Sequence, residues 1–219
     1  MNCGLTNLNT LKKHLLAGSL DGETKFDPVI AMIGLGVAGL FDTFCNRKLA
    51  WMESEVVTYS GDRPHMYLPR YPIRQVRSVN MRYFQTDTWC EITGQPITVN
   101  FESGMIHFGY TLGRFPLQVQ TVWDGGYWFE TLEPEVEGYP STAPAANAAD
   151  PNSLPARFFL LPDVLRSAFL FQCEAIWSAR DKLGIGLIDK PGSQSEMGRL
   201  EISPLVKMML QPFVRYQLS

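Results

Sequence analysis

Alternation of apolar and polar residues between Trp51 and about Phe129 constrains the fold of this chain more than any other feature of its sequence. Short runs with the two-residue period of a β-strand follow one another there, and clusters of turn residues separate them. The runs are Glu55–Tyr59, Met66–Leu68, Gln75–Val79, Ile97–Phe101, Met105–Phe108 and Leu117–Trp123. Strands joined by short turns pair as hairpins, so this region predicts an antiparallel β module.

Helical periodicity flanks the module on both sides. A leucine stripe predicts a first helix over Thr6–Ala17, and the pair Asp27-Pro28 predicts the start of a second, with Asp27 as its cap. Arg47 and Lys48 are expected at the end of this second helix, where the helix dipole favours positive charge. A third helix is predicted from Pro162 to about Leu183. Because it is apolar on two sides, it must be covered on two sides, so it is either central in its domain or shared with a neighbouring subunit.

Together these patterns predict the α+β class: a small bundle of three main helices with a large inserted antiparallel β module and an extended C-terminal tail. The expected organisation is a helical part over 1–50, the β module over 51–130, a Pro/Ala-rich loop over 131–160, the third bundle helix over 161–184, and a linker and tail over 185–219. A chain of 219 residues is long enough for one core plus a smaller module.

Composition excludes several classes of function. The net charge of -3 argues against a protein that grips nucleic acid, because phosphate binding needs a basic face. The four cysteines are scattered without a CxxC pair, which is typical of reduced thiols in a cytosolic setting. The sequence shows no signal-peptide pattern and no run of about 18 uninterrupted apolar residues, so no membrane span is expected.

One familiar motif needs an explanation. Gly34, Gly36 and Gly39 fit the GxGxxG pattern of dinucleotide-binding proteins, and a dinucleotide-binding enzyme is therefore one alternative reading. The pattern requires a strand before the glycines and alternating helices and strands after them. A helix-start signal precedes the motif and strand follows strand behind it, which favours a helix whose small residues permit close packing.

Catalytic signatures of other kinds are missing from the sequence. The motifs GxSxG, Walker A and HExxH are absent, and the three histidines, His14, His65 and His107, fall in different predicted elements. We therefore predict no catalytic, cofactor-binding or metal-binding residues, no cofactor and no enzymatic activity.

The order of several loose motifs resembles the head-tail connector (adaptor, head completion) proteins of long-tailed bacteriophages. The most specific segment runs from Leu68-Pro-Arg-Tyr-Pro-Ile73 to Val76-Arg-Ser-Val79. Four further segments follow the same order: Leu8-Asn-Thr-Leu-Lys-Lys-His-Leu-Leu16, Phe44-Cys-Asn-Arg-Lys-Leu49, Asp124-Gly-Gly-Tyr127 and Leu161-Pro-Asp-Val-Leu-Arg-Ser-Ala168. The chain departs from shorter members of that family by an enlarged middle, roughly Thr86 to Pro155.

The resemblance implies a structural protein of the virion neck, assembled in the host cytoplasm. It implies a ring of about a dozen copies beneath the portal protein, with one interface repeated by rotation. Such a ring extends the DNA channel without sequence-specific binding and docks the next neck, stopper or tail protein. Another ring-forming neck or tail-completion protein is the alternative within this class, although the helices beside the sheet favour the adaptor.

Two sets of contact residues are expected. The apolar tail should dock on the portal or on a neighbouring copy, and its candidate contacts are Leu205, Val206, Met209, Leu210 and Phe213. The two-sided third helix should meet a neighbouring subunit through Phe171, Trp177 and Arg180. The alternative for the tail is that it folds back on its own helices.

Overall fold

The computed structural model describes residues 3–16, 24–93, 97–108, 118–129, 142–150, 152–179 and 201–215. Over these ranges the chain is mixed helix and sheet, as the α+β class predicted. It divides into two compact units. The helical unit comprises Met1–Asn46, Phe129–Pro134 and Leu161–Ser219, and the β unit comprises Arg47–Trp128 and Glu135–Leu160.

The helical unit begins with α1 (Leu8–Leu15) and α2 (Asp27–Cys45). The side chain of Asn7 caps α1 by accepting a hydrogen bond of 2.8 Å from the backbone N–H of Thr10. The predicted start of α2 is confirmed, but its predicted cap is wrong. Asp27 is the first helical residue, and its carboxylate instead pairs with Lys12 at 2.7 Å. This ion pair joins the start of α2 to α1.

The end of α2 also differs from the sequence-based expectation. The helix ends at Cys45, and Asn46 follows in the left-handed conformation with φ of 52°. The backbone then continues into the β unit, so Arg47 follows the helix and is not part of its last turn. Its buried guanidinium lies 3.4 Å from the ring centroid of Tyr71 and donates to the backbone carbonyl of that residue.

Helix α3 (Asp163–Ser178) is the centre of the helical unit, because it contacts α1, α2 and the short α4 (Pro204–Leu210). Phe169 of α3 is fully buried and meets Phe41 of α2 edge to face, with ring centroids 6.1 Å apart. The third helix was predicted to continue to about Leu183, but residues 180–200 lie outside the described part of the chain. A 3₁₀ helix, Gln211–Phe213, follows α4.

The β unit contains two antiparallel sheets. The larger has the strand order β1-β7-β3-β4, and the smaller has the order β2-β6-β5. The strands are β1 (Met52–Ser60), β2 (His65–Tyr67), β3 (Ile73–Arg82), β4 (Cys90–Glu91), β5 (Thr98–Asn100), β6 (Met105–His107) and β7 (Gln118–Gly125). Side chains from both sheets form one apolar core, with fully buried Trp123 of β7 as its largest member. The six predicted strands are therefore present, and the two-residue β4 was missed.

The expectation of an extended loop over 131–160 needs correction where the structure describes this segment. Ala156–Phe159 form a 3₁₀ helix, and Phe159 is fully buried against Trp51 with ring centroids 5.7 Å apart. Arg74 of β3 also donates from Nε to the carbonyl of Ala145 at 2.8 Å. Aromatic residues at the end of a Pro/Ala-rich stretch attach this segment to the β unit, so it is part of that unit's fold.

Candidate assembly surfaces

The outward side of α2 is an apolar surface with a shallow centre. Met32 and Leu35 are 54% and 55% exposed, and Gly36 and Gly39 are exposed beside them. We call these four residues the glycine face. No charged residue occurs in the sequence between Asp27 and Asp42, so the surface is apolar along most of the helix. Exposed apolar patches of this kind usually mark a contact.

The three motif glycines have two different roles in α2. At Gly34 an added Cβ would lie 2.5 Å from the backbone oxygen of Cys3, so this glycine permits close packing of the N-terminal segment. At Gly36 and Gly39 an added Cβ would meet no described atom within 4 Å. A glycine inside a helix costs about 1 kcal/mol relative to alanine. The described part of the chain offers no packing that offsets this cost at the two outward positions.

The same geometry contradicts the dinucleotide-binding alternative. That motif needs a strand that ends in a tight turn at the glycines, with the phosphates at the start of the following helix. Gly34, Gly36 and Gly39 instead lie in the middle of one continuous helix, Asp27–Cys45.

By length and composition α2 could also cross a membrane, with a mean hydropathy of 1.8 over its most apolar window. Its contacts with α1 and α3 bury one side of the helix.

A second apolar surface lies on α4. Leu205 is 58% exposed and Met208 is 74% exposed, and one helical turn separates them. We call this pair the α4 ridge. Ser203 caps the helix by accepting from the N–H of Val206, and Gln172 of α3 bonds on both sides of the cap. Its Nε2 donates to the carbonyl of Glu201 and its Oε1 accepts from the N–H of Ser203, each at 3.0 Å. The ridge is therefore held in a fixed position on the helical unit.

The described part of the tail, residues 201–215, folds back on its own helices, and two of the predicted contact residues are buried there. Val206 and Leu210 are 1% and 0% exposed, because they pack into the core of the helical unit. Leu205 is available at the surface, and Met209 and Phe213 are half-buried. Met208, the most exposed large apolar residue of the described chain, was missed. The helical periodicity from Ser203 onward would have separated the buried residues from the exposed ones.

The predicted subunit-interface residues of α3 have different environments. Phe171 is 45% exposed and is available for a contact. Trp177 is 8% exposed and meets Phe26 edge to face with ring centroids 5.7 Å apart, so its side chain contributes to the chain's own core. Arg180 lies outside the described residues.

A buried carboxylate organises the larger sheet of the β unit. Asp124 of β7 is 0% exposed, and it accepts 2.6 Å hydrogen bonds from Gln75 Nε2 and from Arg77 Nε. The backbone N–H of Ser54 donates to the same carboxylate at 2.8 Å, and Arg74 lies 3.8 Å away. The pKa of Arg77 is raised, chiefly by its hydrogen bond to Asp124. One acceptor therefore joins strands β1, β3 and β7.

The other arginines near this sheet are also paired within the chain. Arg70 is buried and bonds Glu55 with a shortest distance of 2.5 Å. Arg82 donates from Nε to Gln118 at 2.9 Å and lies 4.3 Å from the ring centroid of Trp89. Both side chains are therefore engaged within the β unit. Tyr83 and Phe84, directly after β3, are exposed.

The histidines do not form a metal centre within the ranges that the structure describes. His14 lies 3.3 Å from Glu174 in the helical unit. His65 and His107 are directly opposite each other on β2 and β6, although they are far apart in sequence. No group of three or more potential ligand side chains occurs among the described residues.

Burial separates the cysteines into one reactive thiol and three protected ones. Cys90 is exposed, whereas Cys3, Cys45 and Cys173 are buried. Burial raises the pKa of the Cys3 thiol to about 11 and also raises the pKa of Cys173.

Because the thiolate is the nucleophile, we expect iodoacetamide at pH 8 to modify one thiol in the native chain and all four in urea. Intact mass spectrometry measures both numbers. A Cys90→Ser control should lose the native adduct, and rapid native labelling of a second thiol would contradict the described burial.

Comparisons with known proteins identify the fold. No family model matches the sequence, and no curated protein matches it. A chain of the neck of an empty GTA particle, computed with C6 symmetry, is similar with a TM-score of 0.57 and 10% identity. The match covers 97% of this chain and 90% of the neck chain. A chain of the virion of a native gene transfer agent (GTA) particle gives the same TM-score, identity and coverage. The chain therefore has the fold of a chain found in the neck of a gene transfer agent particle.

Proposed function

We propose that this chain is a structural, non-enzymatic adaptor in the neck of a tailed-phage particle or a related particle. About a dozen copies would form a ring beneath the portal protein, extend the DNA channel and dock the next neck, stopper or tail protein. The observation that carries the proposal is the likeness in fold to a neck chain, which covers 97% of this chain and therefore includes both of its units.

The chemistry of the chain supports a passive channel component. DNA binding requires lysine and arginine side chains that are free to neutralise phosphates. Arg70, Arg74, Arg77 and Arg82 instead form ion pairs or hydrogen bonds within the β unit. With a net charge of -3, the chain suits a channel wall along which DNA moves without sticking.

The exposed apolar side chains support repeated protein contacts. Phe171 of α3 is proposed as a subunit-interface residue, and Leu205, Met209 and Phe213 are proposed to meet the portal or a neighbouring copy. Several weak contacts suffice in such an assembly, because a preformed portal ring raises the effective concentration of each copy at its neighbour. The purified chain can therefore be monomeric, with ring closure supplied by the portal.

Light scattering on a sizing column tests this proposal. The chain is measured alone and mixed with the portal protein that its own genome encodes. We expect a large closed assembly in at least one of the two samples, with several copies of the chain per complex. A monomer or dimer whose mass is indifferent to the portal would contradict the adaptor function.

A further inference from the structure

The helical unit carries two exposed apolar surfaces of opposite shape. The glycine face of α2 is shallow, because Gly36 and Gly39 have no side chains and no described atom fills the space of their missing Cβ atoms. The α4 ridge protrudes, because Leu205 and Met208 are 58% and 74% exposed on a helix that Gln172 holds in place. Each surface lacks a partner among the described residues.

A ring of identical subunits requires two complementary surfaces on each subunit. In a closed ring each subunit offers one surface to the copy before it and a different surface to the copy after it. The two surfaces must therefore be complementary to each other and need not be complementary to themselves. A ridge of two flexible apolar side chains and a glycine-lined depression meet that condition. The glycine face contains no charged residue that the contact would have to desolvate, and exposed Lys207 beside Met208 would lie at the edge of the contact.

We propose that the α4 ridge of one copy seats on the glycine face of the next copy and forms the repeated contact of the ring. This inference rests on the proposed function and names its self-association site. Met208 and Leu205 would pack over Gly36 and Gly39, with Met32 and Leu35 at the edges of the contact. Absent side chains at two positions let the neighbouring helix approach α2 closely. Such a contact would account for Gly36 and Gly39 in the middle of a helix, where they pack against no described residue of their own chain.

The glycine positions allow a test that separates folding from assembly. Gly36→Ala/Gly39→Ala should raise the urea midpoint of the isolated chain, since alanine favours the helix and its methyl group meets open space. The same change should weaken assembly by about tenfold or more, because methyl groups overpack the seat of the ridge. Gly36→Gln/Gly39→Gln should abolish assembly while the chain stays folded. Thr10→Gln, on an exposed position of α1, is the matched control and should assemble normally.

These outcomes distinguish the contact from the proposed function. Wild-type assembly with or without the portal supports the ring function, and normal assembly of the glutamine variant would then overturn the α2 contact alone. A lower urea midpoint in the alanine variant would also overturn it, because the glycine positions would then be filled from within the chain. Failure of the wild-type chain to assemble in either sample would overturn both proposals.

Site-directed cross-linking tests the pairing of the two surfaces. In a Cys90→Ser background, one chain carries Gly36→Cys and a second carries Met208→Cys. Under mild oxidation on the portal, we expect the mixture to give a disulfide-linked heterodimer well above either homodimer. A Gly36→Cys chain mixed with a Phe84→Cys chain is the control, because Phe84 is exposed on the β unit. Homodimers of Gly36→Cys in excess of the heterodimer would show a face-to-face contact between α2 helices and contradict the proposal.

Discussion

Replacing Asp124 by alanine is expected to lower the free energy of unfolding of the β unit by about 3 kcal/mol or more. The carboxylate is fully buried and accepts hydrogen bonds from Ser54, Gln75 and Arg77. Removing it leaves the N–H of Ser54 and the amide of Gln75 without their acceptor, and an unsatisfied buried polar group costs more than the bond itself contributes. Urea unfolding followed by circular dichroism measures the change.

The geometry around Asp124 explains why the effect should be large. Ser54 lies at a register shift between Met52 and Glu55 of β1 and has a φ of 54°, a conformation that is unfavourable for a residue with a side chain. Its hydrogen bond to Asp124 fixes this bulge against β7. Asp62→Ala, in the exposed turn after β1, is the matched control and should change stability by less than about 0.5 kcal/mol. Equal stability of the two variants would contradict the role given to Asp124.

Trp123→Ala is also expected to lower the free energy of unfolding of the β unit strongly. The indole is fully buried in the apolar core of the β unit, and its Nε1 donates to the carbonyl of Arg70 at 3.1 Å. Truncation removes the largest side chain of this core and leaves a cavity, so we expect a loss of about 3–5 kcal/mol. The readout is the urea midpoint together with hydrogen exchange in β3 and β7.

Trp123→Phe is the informative companion of that variant. A phenyl ring keeps much of the apolar packing but cannot donate to the Arg70 carbonyl, so an intermediate loss is expected. The helices α2 and α3 should keep their hydrogen-exchange protection in both variants, because Trp123 belongs to the other compact unit. A stability of Trp123→Ala within 1 kcal/mol of wild type would contradict its place in the core.

Patterns among neighbouring residues were sufficient to predict much of the fold. The two-residue alternation gave six strands, and Asp27-Pro28 gave the start of α2, because these signals depend on neighbouring residues. The larger sheet nevertheless places β7 between β1 and β3, a pairing of distant segments that no local signal contains. For the same reason the cross-strand neighbours His65 and His107 were read as separate.

The candidate surfaces were predicted less well than the strands. The apolar tail was read as one docking segment, whereas Val206 and Leu210 face α3 and Leu205 faces outward. Composition gives only the number of apolar residues in a short helix, whereas the helical period shows which of them share a side. Gly36 and Gly39 were expected to permit close helix packing, either within the chain or between subunits. Of the three motif glycines, only Gly34 packs closely within the described chain, and this difference is visible only in three dimensions.

The location of the chain in a particle tests the central claim most directly. Particles made by the genome that encodes the chain are purified, and the chain is detected with a gold-labelled antibody in electron micrographs. We expect label at one place, the junction of head and tail, and filled heads without tails when the gene is inactivated. Label along the tail or at its tip, or purified particles that lack the chain, would contradict a function in the neck.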